Sequence, residues 1–246
     1  MRRRIAGTRL TTVSIAQGVA EPAHRATPSR KKKQVRLTER DLAIAAFVDR
    51  VGCAQPHHIE RRFGVSERVA QRRLRALRQR GQIRSSRPLS GAALVHPAGA
   101  PTPAVRDLRH TLEATAVAVR LELEGFQVTT ERMMRREEYA TGDRERWSIR
   151  MPRRSATGDP ITHRPDMAFG TGASLTAIEV ELTRKSNNRL AELMGAWARQ
   201  ARYSDVDYLC RSEELARLVT DHARRAGADL VVRAWSLQAW RVTQSD

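Results

Sequence analysis

Glu179 and Glu181 alternate with Ile178, Val180 and Leu182. Successive side chains of a strand face opposite ways, so this segment has one apolar face and one face bearing two carboxylates. Two like charges side by side need a reason. Solvent exposure on an edge strand is one. A divalent cation is the other, because Mg²⁺ takes carboxylate oxygens and water in an octahedral shell. Asp166, thirteen residues before Glu179, reaches the same point if the strand carrying it is a neighbour.

A second chemistry is written into residues 66–80. Ala70, Leu74 and Leu77 follow the i, i+4, i+7 spacing of a buried helical stripe, with Val69 beside it. Arg68, Gln71, Arg72, Arg75 and Arg78 occupy the remaining surface, and Ser66 stands where an N-cap is needed. A helix with such a face fits the major groove, where guanidinium groups pair with guanine O6 and N7 or clasp phosphates. A small helical domain with a solvated charged helix has the same composition, so the neighbouring elements must decide.

Those elements are legible. Thr38 caps a helix whose apolar face includes Leu42, Ala45 and Val48, and Gly52 ends it. Pro56 opens a short second helix through Ile59 and Phe63, and Gly64-Val65 turns the chain into the arginine-rich helix, which Gly81 closes. Two short strands, 82–85 and 92–96, flank a turn with Pro88, Ser90 and Gly91, the position of a wing, with Arg87 at its edge. Residues 97–103, with three prolines and a glycine, read as a linker. Beyond it the pattern predicts a helix over 104–124, strands at 126–132, 147–151, 164–169 and 175–182, and a helix from about Asn188 to Tyr203. A strand over 206–210, a helix over 212–226 and a strand over 230–236 complete the order. The expected fold class is α+β or α/β: an N-terminal winged helix-turn-helix over 37–100 and a second α/β domain over 104–246.

Charge divides the chain at the same place. Residues 1–103 hold 22 Lys and Arg against 6 Asp and Glu, a net of +16, and residues 104–246 hold 23 against 21, a net of +2. A field of that sign attracts polyanions, and neutralising phosphates releases condensed counterions, so double-stranded DNA is the expected partner of the first half. Residues 1–36 carry ten basic residues against one acidic and too few apolar positions for a core, which reads as a disordered basic arm. No run of about 18 apolar residues exists, and the first thirty residues lack the apolar stretch of a signal peptide, so no membrane partner is expected and the location is read as cytoplasmic, on nucleoid or plasmid. Cys53 and Cys210 lack metal-ligand spacing and read as two buried thiols, and His57-His58 lacks the i, i+4 spacing of a helical metal pair.

The order Leu37-Thr38, Ser66, Arg73-Leu74, Leu77 and Gly81, then Arg164-Pro165-Asp166 and Ile178-Glu179-Val180-Glu181, resembles the replication-relaxation family of bacterial plasmids and mobile elements, over about residues 37–210. The resemblance implies a winged helix joined to an αβββαβ domain similar to PD-(D/E)xK nucleases, in proteins tied to replication, transfer or gene control of mobile DNA. It assigns Asp166, Glu179 and Glu113 to the pattern's acids. Glu181 stands where the pattern has lysine, and Lys185, four residues on, is the displaced substitute. If active, such a site uses Mg²⁺ or Mn²⁺ on Asp166, Glu179, Glu181 and Glu113, with Asp166, Glu179 and Lys185 catalytic. If silent, the scaffold serves homodimerisation or DNA contact. The expectation is thus a DNA-binding regulator of transcription or replication, with a metal-dependent endonuclease as the alternative.

Overall fold

A computed structural model describes residues 36–87, 93–101, 103–171 and 174–243. All but Arg36 of the expected basic arm over 1–36, and the tip of the expected wing, with Pro88, Ser90 and Gly91, lie outside the described residues.

Three helices come first: α1 (Glu39–Val51), α2 (Pro56–Phe63) and α3 (Glu67–Gln79). Helix α1 starts at a capping box, in which the Thr38 hydroxyl accepts from the Asp41 amide and the Asp41 carboxylate accepts from the Thr38 amide at 2.8 Å. Gly64 ends α2 in the left-handed conformation, φ 58°, which lets α3 turn away within two residues. Strands β1 (Ile83–Ser86) and β2 (Leu94–Pro97) then pair antiparallel, Ile83 opposite Pro97. Pro97 is therefore a strand residue and not the start of a linker. Ile44, Phe47, Val48, Ile59, Leu74, Leu77 and Ile83 close a small core. Full burial contributes about 1.5–3 kcal/mol for each such large side chain.

The remainder is a five-stranded mixed sheet with helices on both faces. Its elements are α4 (Val105–Leu123), β3 (Val128–Thr130), α5 (Glu131–Thr141), β4 (Ile149–Arg154), β5 (Pro160–His163), β6 (Met167–Phe169), β7 (Thr176–Glu181), α6 (Asn187–Arg199), β8 (Asp205–Cys210), α7 (Glu213–Arg225), β9 (Val232–Ser236) and α8 (Leu237–Thr243). The strand order is β3-β6-β7-β8-β9, antiparallel up to β7 and parallel beyond it. Strands β4 and β5 form a separate hairpin. The chain is mixed α+β, and the series α4, β3, β6, β7, α6, β8 runs through the sheet with α5 and the β4–β5 hairpin inserted between β3 and β6.

Several boundaries differ from the sequence pattern, each for a local reason. The strand expected over 126–132 stops at Thr130, which becomes the N-cap of α5. That helix turns Met134 and Glu138 inward, and Gly142, φ 72°, ends it. Strand β6 starts only at Met167, after Pro165, which has no amide hydrogen for a ladder. Helix α6 ends at Arg199 because Gln200 is extended and its side-chain carbonyl accepts from the amides of Arg202 and Tyr203, both at 2.7 Å. Strand β5 and helix α8 have no counterpart in the expected order.

The helical part and the sheet meet along α4 and α5. Val119 of α4 enters the helical core. The Thr115 hydroxyl donates to the Cys53 carbonyl at 2.8 Å, and that of Thr130 to the Arg50 carbonyl at 2.6 Å. Buried Glu122 holds Arg50 at 2.5 Å and also pairs with Arg62, while Asp49 holds Arg136 at 2.5 Å and Arg132 at 3.2 Å. The hydrogen bond from Arg136 lowers the Asp49 pKa against the opposing effect of burial, and Arg132 adds to it.

Candidate functional site

Strand β7 lies between β6 and β8, and all six of its residues are buried. Ile178 and Val180 pack with Leu182 toward α4 and α8, whereas Ala177 packs toward α6 and α7. Alternation puts Glu179 and Glu181 on the α6 side, 5% and 4% exposed. Solvent exposure on an edge strand therefore does not explain these carboxylates.

Each has a cationic or imidazole partner instead. His163, the last residue of β5, donates from Nε2 to Glu179 Oε1 at 2.6 Å. Lys185 reaches back one turn to pair with Glu181. Asp166, just before β6, accepts from the Val180 amide at 2.7 Å and lies 3.1 Å from His110 Nε2. An ionised carboxylate only accepts, so Nε2 carries the proton in that contact. Its bond to Asp166 raises the His110 pKa against the lowering effect of burial, with further help from the charge on Glu179. Asp166 and His110 line a cleft of about 230 Å³, whose other walls include Arg50, Thr115 and Arg132.

The structure thus brings Asp166 and Glu179 to adjoining strands and Lys185 onto Glu181. It does not bring Glu113 to them: that carboxylate is held 2.8 Å from Arg241 on α8. The α4 residue that reaches Asp166 is His110, three residues earlier. Sequence reasoning missed both His110 and His163, which lie outside any spacing motif. His163, directly before the Arg164-Pro165-Asp166 run, was the one visible signal.

Mg²⁺ takes as few as one or two carboxylates and fills the rest of its octahedral shell with water and phosphate oxygens. Here two of the three carboxylates are committed to imidazoles and the third to an ammonium. Among the described residues no three His, Cys, Asp or Glu side chains gather as a ligand set. Asp166, just before β6, and Glu179 on β7 are the carboxylates that would hold the Mg²⁺ or Mn²⁺ that the resemblance implies, in place of their contacts with His110 and His163.

A basic face lies on α3. Ala70, Leu74 and Leu77 are buried, and Arg68, Gln71, Arg72, Arg75 and Arg78 are exposed. Among the described residues no carboxylate pairs with those four arginines. Arg73, on the inward side, does have one: its Nη1 donates to Oδ2 of fully buried Asp41 at 3.4 Å. Ser66 holds the N-cap position of α3 but makes no side-chain capping bond, so its exposed hydroxyl stays open to solvent. Arg84 on β1 and Arg87 just after it are exposed too.

Of the histidine pair of α2, His58 is structural. His58 is buried and its Nδ1 accepts the Gln55 amide at 3.1 Å, completing the cap of the helix. Cys53 and Cys210 are buried free thiols, pushed by burial up to about 11 and about 12. Among the described residues no helix is long and apolar enough to cross a membrane. No family model, no curated protein and no solved structure matches the chain.

Proposed function

We propose that the protein binds double-stranded DNA and controls transcription or replication, with α1, α2, α3 and the β1–β2 hairpin acting as a winged helix-turn-helix. Helix α3 enters the major groove and the hairpin follows the adjacent backbone. One observation carries the reading: α3 turns four arginines outward with no acidic partner among the described residues, while its remaining arginine inside the turn, Arg73, is held by buried Asp41. A guanidinium with no carboxylate partner is free to take a phosphate or a base edge in a bidentate pair. The +16 charge of residues 1–103 supports the same partner.

The sheet is read as a PD-(D/E)xK-like scaffold that serves homodimerisation or DNA contact, as in proteins of bacterial mobile elements. Commitment of its carboxylates to His110, His163 and Lys185 favours this over cleavage.

The test is fluorescence anisotropy against a selected duplex. Arg72→Ala or Arg75→Ala weakens binding by about 1–3 kcal/mol where the residue reads a base, and less on unrelated sequences. Equal loss on every sequence reassigns the residue to phosphate contact. Retained affinity in both variants refutes the role of α3. Supercoiled plasmid incubated with Mg²⁺ or Mn²⁺ stays intact. Nicking by the wild type, abolished in Asp166→Ala, would establish the endonuclease in its place.

A further inference from the structure

Helix α6 and the β4–β5 hairpin enclose a groove of about 910 Å³, well away from α3 in the chain. Its walls carry Arg150 on β4, Arg199 in the last turn of α6, and Arg202 just beyond it, against a single carboxylate, Glu145, which Arg150 holds at 2.5 Å. Arg199 and Arg202 are exposed and pair with no carboxylate among the described residues. The carbonyl end of α6 favours a cation in its last turn, which explains Arg199. It does not explain Arg202, past the helix, whereas Arg150 on the facing wall is paired with Glu145. Gly195 sits in the middle of α6 at a cost of about 0.5–1 kcal/mol relative to alanine. An added Cβ there would lie 3.2 Å from Arg199 Nη1, so the glycine leaves room for that guanidinium to lie along the helix. The same stretch is dense in arginine by sequence, with five between residues 144 and 154.

The floor of the groove adjoins the acidic strand. Ile149 lines the groove and pairs in register with His163, whose ring donates to Glu179.

We infer that the groove between the β4–β5 hairpin and the end of α6 is a second DNA-binding surface, taking sugar-phosphate backbone on Arg199 and Arg202. This rests on the DNA-binding reading above. It gives the sheet a defined task, and charge complementarity selects a polyanion over an apolar partner, since the exposed polar groups of the groove are guanidinium in the main.

The full chain is titrated with a long duplex over a range of salt concentrations, as wild type, as Arg199→Gln/Arg202→Gln, and as Arg199→Lys/Arg202→Lys. Both arginines are exposed, so the variants keep the wild-type thermal midpoint. Each phosphate contact contributes about 0.9 to the slope of log affinity against log salt. The Gln pair should flatten the slope by about 1.8, and the Lys pair should restore it. An unchanged slope in the Gln pair, with Arg72→Ala still weakening binding, overturns the groove and leaves α3 in place. A wild type without salt-dependent DNA binding overturns both. Loss of poly-glutamate binding in the Gln pair, with DNA binding intact, would also overturn the inference and make the groove a site for acidic peptide.

Discussion

Protonation of His58 should unfold the helical part from within. The imidazole is 3% exposed, and its Nδ1 accepts the Gln55 amide, a bond that only a ring lacking a proton on that nitrogen can make. Burial, with smaller contributions from the neighbouring charges of His57 and Arg61, lowers its pKa to about 3 from an ordinary 6.5. Between those values the unfolded chain binds a proton that the folded chain refuses, so stability is fully present above about 6.5 and falls as pH drops toward 3. At about pH 4.5, some two units below the unfolded value, the loss from this residue is about 3 kcal/mol at 1.36 kcal/mol per unit. That is a large part of a typical domain's 5–15 kcal/mol. Urea unfolding at about pH 7.5 and pH 4.5, for the wild type and for His58→Asn, isolates the term, because carboxylate titration is common to both. Asn offers a carbonyl oxygen near the position of Nδ1 and does not titrate. The wild type should lose about 3 kcal/mol more than the variant between the two pH values. Equal losses would refute the assignment of His58 as a neutral, buried cap.

Glu122→Ala removes the carboxylate shared by Arg50 and Arg62. Breaking a buried pair costs about 3–5 kcal/mol. The two guanidinium groups are 27% and 35% exposed and regain water, so about 2 kcal/mol is expected, a fall of about 4–8 °C in thermal midpoint; an unchanged midpoint would show that α4 does not fasten the two parts. Cys53 and Cys210, buried and with raised thiol pKa values, should resist alkylation in the native protein near pH 8 and both react in denaturant. Rapid native labelling of either would contradict its burial. Gly64→Ala places a side chain at φ 58° with nothing within 4 Å to clash, so its cost, about 1 kcal/mol by urea unfolding, comes from backbone strain alone.

Local chemistry makes the helices between residues 38 and 81 readable. Thr38, Gly52, Pro56, Gly64 and Gly81 each act within a few residues of their own position, and the helices end within a residue of where these signals put them. The apolar stripe of α3 and the alternation of β7 are local as well. Helix α5 was lost because its segment begins as a β-branched run, Val128 to Thr130, and the switch rests on one capping threonine. Strand β5 is hidden in the sequence because Pro160 begins it and, among the described residues, it pairs with β4 alone.

The site itself depends on partners distant in sequence. Asp166 and His110 are fifty-six residues apart, and Glu179 and His163 sixteen. Periodicity marks Glu179 and Glu181 as two carboxylates on one face but says nothing about what neutralises them. Burial decides that question: once β7 is central in the sheet, each carboxylate must find a cation, a proton donor or a metal, since an unpaired buried charge costs several kcal/mol. The chain supplies the imidazole of His163 to Glu179 and the ammonium of Lys185 to Glu181, both from residues outside the strand. The same rule, applied to α3, gives the opposite result. Its outward arginines are solvated and need no partner to fold, which is why they stand without carboxylates among the described residues while the buried acids of β7 do not stand alone.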